Sequence, residues 1–176
     1  GADGSIYTSD NGTNWNLKNT GTTNSLNSVI YGNDTFVAVG LLGTILSSPD
    51  GNTWTLITGI ASTIHFYGVM YGNNTFVVVG NTGVIFSSPN GTNWTERTNT
   101  SITTAGLNGG TYGNSTFVVG GGNGTILTSS NGTTWTSRNS GITDGITEIA
   151  YGNNTFVAGS QSVDLVIVTS SDGISW

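Results

Sequence analysis

Thr8-Ser-Asp-Asn-Gly-Thr-Asn-Trp15 is the stretch on which the fold turns, because it returns four times. The later copies are Ser47-Ser-Pro-Asp-Gly-Asn-Thr-Trp54, Ser87-Ser-Pro-Asn-Gly-Thr-Asn-Trp94, Thr128-Ser-Ser-Asn-Gly-Thr-Thr-Trp135 and Thr169-Ser-Ser-Asp-Gly-Ile-Ser-Trp176. The tryptophans stand 39, 40, 41 and 41 residues apart. A supersecondary unit repeated at this period cannot bury its apolar face alone and must stack on, or close with, its neighbours. In each copy an Asn-Gly or Asp-Gly pair, the strongest short-range hairpin signal, joins two strands through Gly12, Gly51, Gly91, Gly132 or Gly173. The hydroxyl two or three residues ahead is placed to bond the free amides of the turn, and the indole returns to pack between neighbouring sheets.

Working outward from the turns, the second copy reads as four strands: Leu26 to Gly32, Thr35 to Gly40, Gly43 to Ser48 and Thr53 to Thr58. Each is rich in Val, Ile, Thr, Tyr and Phe and is bounded by Gly, Asn or Asp, which is the grammar of strands and turns. The first two are joined by Tyr31-Gly-Asn-Asp-Thr-Phe36, repeated at Tyr71 to Phe76, Tyr112 to Phe117 and Tyr151 to Phe156. Its Gly and Asn tolerate the positive φ of a tight hairpin, and the flanking aromatics face one another across it. Tyr31, Tyr71, Tyr112 and Tyr151 hold one repeat position, so a structural role is expected of them. Recurring Gly and β-branched residues oppose helix throughout.

Charged residues make up only 7% of the 176, and the formal net charge is -6. The surface is therefore built mostly of Asn, Thr, Ser and Gly. No basic stripe exists to release counterions from phosphates, which excludes a nucleic-acid partner. With no cysteine there is neither a disulfide nor a thiolate zinc site. The longest apolar runs, such as Thr35 to Val39 and Asp164 to Val168, fall far short of the ~20 residues of a membrane helix, so no membrane span is expected. The chain opens on Gly1 inside a strand pattern without a targeting segment, as a piece of something longer would.

The recurring turn resembles the Asp-box, or BNR, repeat of sialidase-like β-propellers, Ser/Thr-x-Asp-x-Gly-x-Thr-Trp. Thr8, Asp10, Gly12 and Trp15 match it; the residue aligned with the family Asp is Pro49, Pro89, Ser130 and Ser171 in the other copies. Combined with the Tyr-Gly-Asn hairpin, the shifted box is also similar to repeats of photosystem-assembly-factor-like propellers and of bacterial surface proteins. The resemblance implies an all-β propeller of four-stranded antiparallel blades. It implies a partial blade at 1–23, whole blades at 24–63, 64–104 and 105–144, and an incomplete blade at 145–176. Seventeen strands and the beginning of another follow. Closure into four blades would leave Asp164 to Trp176 surplus, so an open arc of about five blades is expected, completed by a larger propeller or by self-association.

Catalysis needs titratable groups that converge, and the supply is thin: His65, Lys18, Arg97, Arg138 and nine carboxylates spread over separate blades. Arg97 and Arg138 cannot make the arginine cluster that a sialidase needs around its substrate carboxylate. No catalytic residue, metal or cofactor is expected. Asp10, Asp50 and Asp172 read as turn formers. Lys18, Arg97 and Arg138 share one offset, three residues after the Trp, on equivalent outer strands. They serve either as solvated edge charge or as a shallow anion or glycan contact row. His65, at the entrance of the strand Phe66 to Tyr71, is a rim residue or a ligand contact.

The loops that differ most between copies are 19–25, 59–65, 99–106 and 140–145, together with 41–43, 81–83, 120–124 and 159–163. Variation on a constant frame is where binding specificity resides. Asn-x-Ser/Thr acceptor sequences occur at Asn11, Asn33, Asn73, Asn90, Asn93, Asn99, Asn114, Asn123, Asn131 and Asn153, mostly as by-products of turn grammar. The expectation is a non-enzymatic, extracellular or cell-surface module that binds a protein or glycan ligand. The alternative is the scaffold of a sialidase-like glycoside hydrolase, or a lectin, with its key residues elsewhere.

Overall fold

The computed structural model describes residues 1–161 and 166–176. They form seventeen strands in five antiparallel sheets that follow one another along the chain. The first sheet is β1 (Ile6–Thr8) and β2 (Asn16–Lys18). The second is β3 (Leu26–Gly32), β4 (Thr35–Gly40), β5 (Ile45–Ser48) and β6 (Thr55–Leu56). The third is β7 (Phe66–Gly72), β8 (Thr75–Gly80), β9 (Ile85–Ser88) and β10 (Thr95–Glu96). The fourth is β11 (Leu107–Gly113), β12 (Thr116–Gly121), β13 (Ile126–Ser129) and β14 (Thr136–Arg138); the fifth is β15 (Ile146–Gly152), β16 (Thr155–Ser160) and β17 (Ile167–Ser170). Within each sheet every strand pairs with its neighbour in sequence.

β3, β7, β11 and β15 lie side by side, so the sheets radiate from a common axis as the blades of a propeller. Alternating side chains bury both faces of the middle strands. Val37, Val39 and Ile45 of the second sheet meet Phe66, Phe76 and Val78 of the third. Val77, Val79 and Ile85 then meet Leu107, Phe117 and Leu127, and Val118 and Ile126 meet Ile146, Phe156 and Ala158. A fully buried Val, Ile or Phe contributes about 1.5–3 kcal/mol, so these layers dominate the stability. Among the described residues no core cluster joins the fifth sheet to the first, and the arrangement is an open arc.

Several expectations need correction. The hairpin glycine is not the turn residue: Asn33 and Asp34 carry the positive φ, at 45° and 53°, and so do Asn73 and Asn74, Asn114 and Ser115, and Asn153 and Asn154. Two left-handed residues make a turn whose twist matches that of the strands, and Gly32 stays in β3. The outer strand of the second sheet, Thr55–Leu56, is shorter than the reading of Thr53 to Thr58; it begins after Trp54, whose ring turns onto Phe36. Third strands begin at Ile45 rather than Gly43, since residues 42 and 43 are left-handed. Residues 162–165, within the expected loop 159–163 and the run Asp164 to Val168, lie outside the described residues. Among the described residues no helix is long and apolar enough to cross a membrane.

Candidate functional site

One end of the arc is a locked end. There the hairpin asparagines Asn33, Asn73 and Asn114 donate Nδ2 to the carbonyls of Pro89, Ser130 and Ser171 in the following sheet, at 3.4, 3.2 and 3.4 Å. Within each Asn-Gly or Asp-Gly turn, the hydroxyl of Ser9, Ser48, Ser88, Ser129 or Ser170 accepts the glycine amide at 2.8 or 2.9 Å. The neighbouring side-chain oxygen accepts two further amides: Asn52 and Thr53 on Asp50, Ile174 and Ser175 on Asp172. Those amides hold both carboxyls below their ordinary range, Asp172 at about 2. In the first copy Asn11 fills this place, accepting from Thr13 and Asn14, and Asp10 stands one residue outside it. Asp10, expected to be a turn former, leaves that part to Asn11.

The repeat tryptophans belong to the same end. Trp54, Trp94 and Trp176 donate Nε1 to the carbonyls of Gly51, Gly91 and Gly173 at 3.0, 3.1 and 2.9 Å. These three and Trp135 each pack on the second-strand Phe of their own sheet, with ring centroids 6.3 to 6.5 Å apart, and join the layer shared with the preceding sheet. Trp15 departs from the expected wedge and is exposed, with no sheet among the described residues on its outer side. Tyr31, Tyr71, Tyr112 and Tyr151 face Phe36, Phe76, Phe117 and Phe156 across the hairpins at 4.5 to 4.7 Å. The Asp34 carboxylate that takes the Tyr31 hydroxyl raises that phenol above its ordinary value.

The opposite end has a constant frame with changing side chains. Before β1, β5, β9 and β13 the chain makes one tight loop whose penultimate residue is left-handed: Asp3, Leu42, Thr82 and Asn123, with φ of 53°, 56°, 52° and 56°. All four are exposed. Each is followed by a left-handed glycine, Gly4, Gly43, Gly83 or Gly124. A Cβ on those glycines would stand 2.1, 2.7, 2.7 and 2.0 Å from the carbonyl oxygens of Thr22, Ala61, Thr103 and Ile142, in the loops that lead to the next sheet. Only glycine lets the two loops meet. Backbone bonds close the frame, Thr44 N to Leu41 O, Val84 N to Asn81 O and Thr125 N to Gly122 O, at 3.1 to 3.2 Å. A left-handed Leu or Thr is strained by about 1–2 kcal/mol, and such strain clusters at binding sites.

His65 belongs to this end. Its Nδ1 accepts the Leu42 amide at 3.0 Å, and its own amide donates to Asn81 Oδ1 at 2.9 Å. His65 therefore ties the Leu42 loop, through its ring, to the Asn81 loop of the next sheet, through its backbone. Arg97 and Arg138 lie elsewhere, half-buried on the outer strands, where their Nε atoms donate to Ser87 Oγ and Thr128 Oγ1 at 3.0 and 2.8 Å. Lys18 stands opposite Ile6 in the first sheet. The three cations keep equivalent outer places and do not converge with His65. On the axis, Asn27, Tyr67, Asn108 and Glu148 line a polar cavity of about 240 Å³. Asn27 and Asn108 sit at bulges in β3 and β11 and donate to Phe66 O and Ile146 O of the next inner strand at 2.7 and 2.8 Å.

The row Asp3, Leu42, Thr82 and Asn123 was not singled out from the sequence, although the loops holding three of them were. Its signal was present: each stands directly before a glycine, at spacings of 39, 40 and 41, in step with the tryptophans.

No protein-family model matches the chain, and no curated protein matches its sequence. Solved structures do match. YCF48 bound to D1 peptide is 17% identical with a TM-score of 0.70, over 86% of this chain and 53% of that one. The computationally designed Ika8 protein is 18% identical with a TM-score of 0.71, over 98% of this chain and 54% of that one. The WD40 beta propeller domain of Doa1 is 14% identical with a TM-score of 0.59, over 86% of this chain and 52% of that one. The chain spans about half the length of each. At these identities the likeness establishes the fold, a β-propeller of repeated blades.

Proposed function

We propose that the chain is a non-enzymatic binding module that presents Asp3, Leu42, Thr82 and Asn123 to a protein partner, at the cell surface or outside the cell. The observation that carries this reading is the strained left-handed frame, repeated sheet by sheet with an anion, an aliphatic, a hydroxyl and an amide at the same backbone position. Strain kept on an exposed loop while the side chain changes is what presentation of side chains requires. A uniform structural need would instead favour Asn or Gly at every copy.

The non-enzymatic part draws on the same geometry. The Nδ1 lone pair of His65 is spent on a backbone amide, and Arg97 and Arg138 are turned back onto their own sheets. The exterior location draws on a surface of uncharged polar residues, with 7% charge in the sequence. YCF48 in complex with the D1 peptide has the same fold, which supports a protein over a glycan partner.

The test is selection of binders from displayed extracellular protein fragments and, in parallel, from a glycan array. Each is then measured against the fourfold variant Asp3→Ala, Leu42→Asn, Thr82→Asn, Asn123→Gly. Loss of protein binding by about tenfold or more, with unchanged or raised thermal stability, is the expected result. Protein binding that survives this variant and vanishes with Lys18→Ala, Arg97→Ala and Arg138→Ala would move the site to the outer strands. Binding of glycans alone would overturn the choice of partner.

A further inference from the structure

Among the described residues, Leu42 is the one member of the presented row whose amide is held by a side chain, the ring of His65, at 3.0 Å. Chain order puts the ring there: the residue before an inner strand stands against the loop of the preceding sheet. Gly106 and Gly145 take that place before β11 and β15, where a Cβ would lie 3.9 Å from Asn81 Cα and 3.7 Å from Gly122 Cα. Glycine has nothing to send into those loops. The frames around Thr82 and Asn123 therefore stand without the bond that Leu42 receives, although all three share one left-handed backbone.

The bond needs the lone pair of Nδ1, and so the neutral ring with its proton on Nε2. A second proton turns Nδ1 into a donor that faces the Leu42 N–H, and the bond is lost. Leu42 then keeps the strain of its φ of 56° with one support fewer. The bonds on either side, Gly43 N to Ile64 O at 2.7 Å and Thr44 N to Leu41 O at 3.2 Å, join backbone groups that do not titrate, so the change is confined to the loop. Histidine is the side chain whose charge changes between about pH 5 and pH 8, and His65 is the only one in the sequence. The loops at this end of the second and third sheets, 19–25, 41–43, 59–65, 81–83 and 99–106, contain no Asp, Glu, Lys or Arg. β7, which begins at the next residue, adds only Tyr67 and Tyr71 as titratable groups.

We infer that His65 is a proton-operated clamp on the presented row. With a neutral ring it fixes Leu42 in its left-handed place; with a protonated ring it lets Leu42 go, while Thr82 and Asn123 stay as they are. The consequence for binding rests on the reading of the row as the surface that meets a partner. On that reading a partner that grips Leu42 is held at neutral pH and released in acid, because an anchor that is no longer pre-placed must be ordered at the moment of binding.

The test follows the Leu42 amide by NMR from about pH 8 to about pH 5, with the Thr82 and Asn123 amides as internal references. His65→Asn is the variant, since its side-chain oxygen is an acceptor that does not titrate. In the wild type the Leu42 amide is expected to move on the same curve as the His65 ring carbons. At the acid end it should exchange with water about fivefold or more faster relative to Thr82. In His65→Asn it should not respond. A Leu42 amide that ignores the ring's titration, or that responds equally in the variant, overturns the inference, and the wild-type curve alone decides this if the variant does not fold. A selected binder that is lost on Leu42→Asn is then measured at both ends of the range, where the wild type is expected to weaken by about fivefold or more and His65→Asn to hold. If the Leu42 amide follows His65 and such a binder does not weaken, the clamp stands and the reading of the row as the binding surface is what fails.

Discussion

The ring of Tyr71 occupies the space that a side chain on Gly32, in the sheet before it, would need: a Cβ there would stand 2.3 Å from Tyr71 Cγ. The relation recurs between Gly72 and Tyr112 and between Gly113 and Tyr151, at 2.1 and 2.2 Å. The glycine of the Tyr-Gly-Asn motif serves the neighbouring sheet, and the turn itself is made by the two residues that follow.

This relation separates two identical hexapeptides, Tyr71 to Phe76 and Tyr151 to Phe156. Gly72→Ala drives a methyl into the Tyr112 ring and is expected to destabilise by about 1–3 kcal/mol, as overpacking does. Gly152→Ala meets nothing within 4 Å and is expected to be close to neutral. Urea denaturation of the two variants checks the contrast, and equal losses would count against it.

Thr82→Asn replaces a β-branched residue at φ 52° with one that tolerates the left-handed region. A gain of about 1 kcal/mol is expected. Leu42→Asn should behave likewise. Calorimetric melting temperatures read the gain, and binding assays read the loss of the presented side chain.

Asp50 and Asp172 are held below the ordinary carboxylate range by backbone amides, Asp172 from 3.8 to about 2. A folded-state pKa below the unfolded one contributes stability that is fully present above the unfolded value and is lost as pH falls through the folded one. The melting temperature should therefore drop between about pH 4 and pH 2. The double variant Asp50→Asn and Asp172→Asn, which copies Asn90 and Asn131, should flatten that slope. A slope unchanged in the double variant would assign acid sensitivity elsewhere.

The Trp135 indole N–H is buried without an acceptor among the described residues, whereas Trp94 donates to the Gly91 carbonyl. Trp94→Phe breaks a bond, and Trp135→Phe removes an unpaired donor. Trp135→Phe is expected to be the milder change by about 1–2 kcal/mol, measured by chemical denaturation with both proteins at neutral pH.

Strand order, hairpins and the serine-capped turns were legible in the sequence because each depends on residues within a few positions of one another. Ser48, Asp50 and Gly51 hold everything their turn requires, and the apolar, valine-rich run Thr35 to Gly40 between turn residues announces a strand wherever it sits. The candidate site was only half legible. Variable loops could be found by comparing copies, but the left-handed backbone at Leu42 and Thr82 contradicts the preferences of those residues, so no local rule gives it.

By itself, then, the sequence determined the repeat, the antiparallel four-stranded unit and the residues of each turn, since turn chemistry and strand propensity act over short stretches. Tertiary structure alone decided why Gly32 is glycine, why Trp15 is exposed while Trp135 is buried, and how His65 comes to hold Leu42. Those outcomes depend on which sheet lies beside which. Contacts between residues a whole repeat apart are fixed by packing, and identical local sequences meet different neighbours.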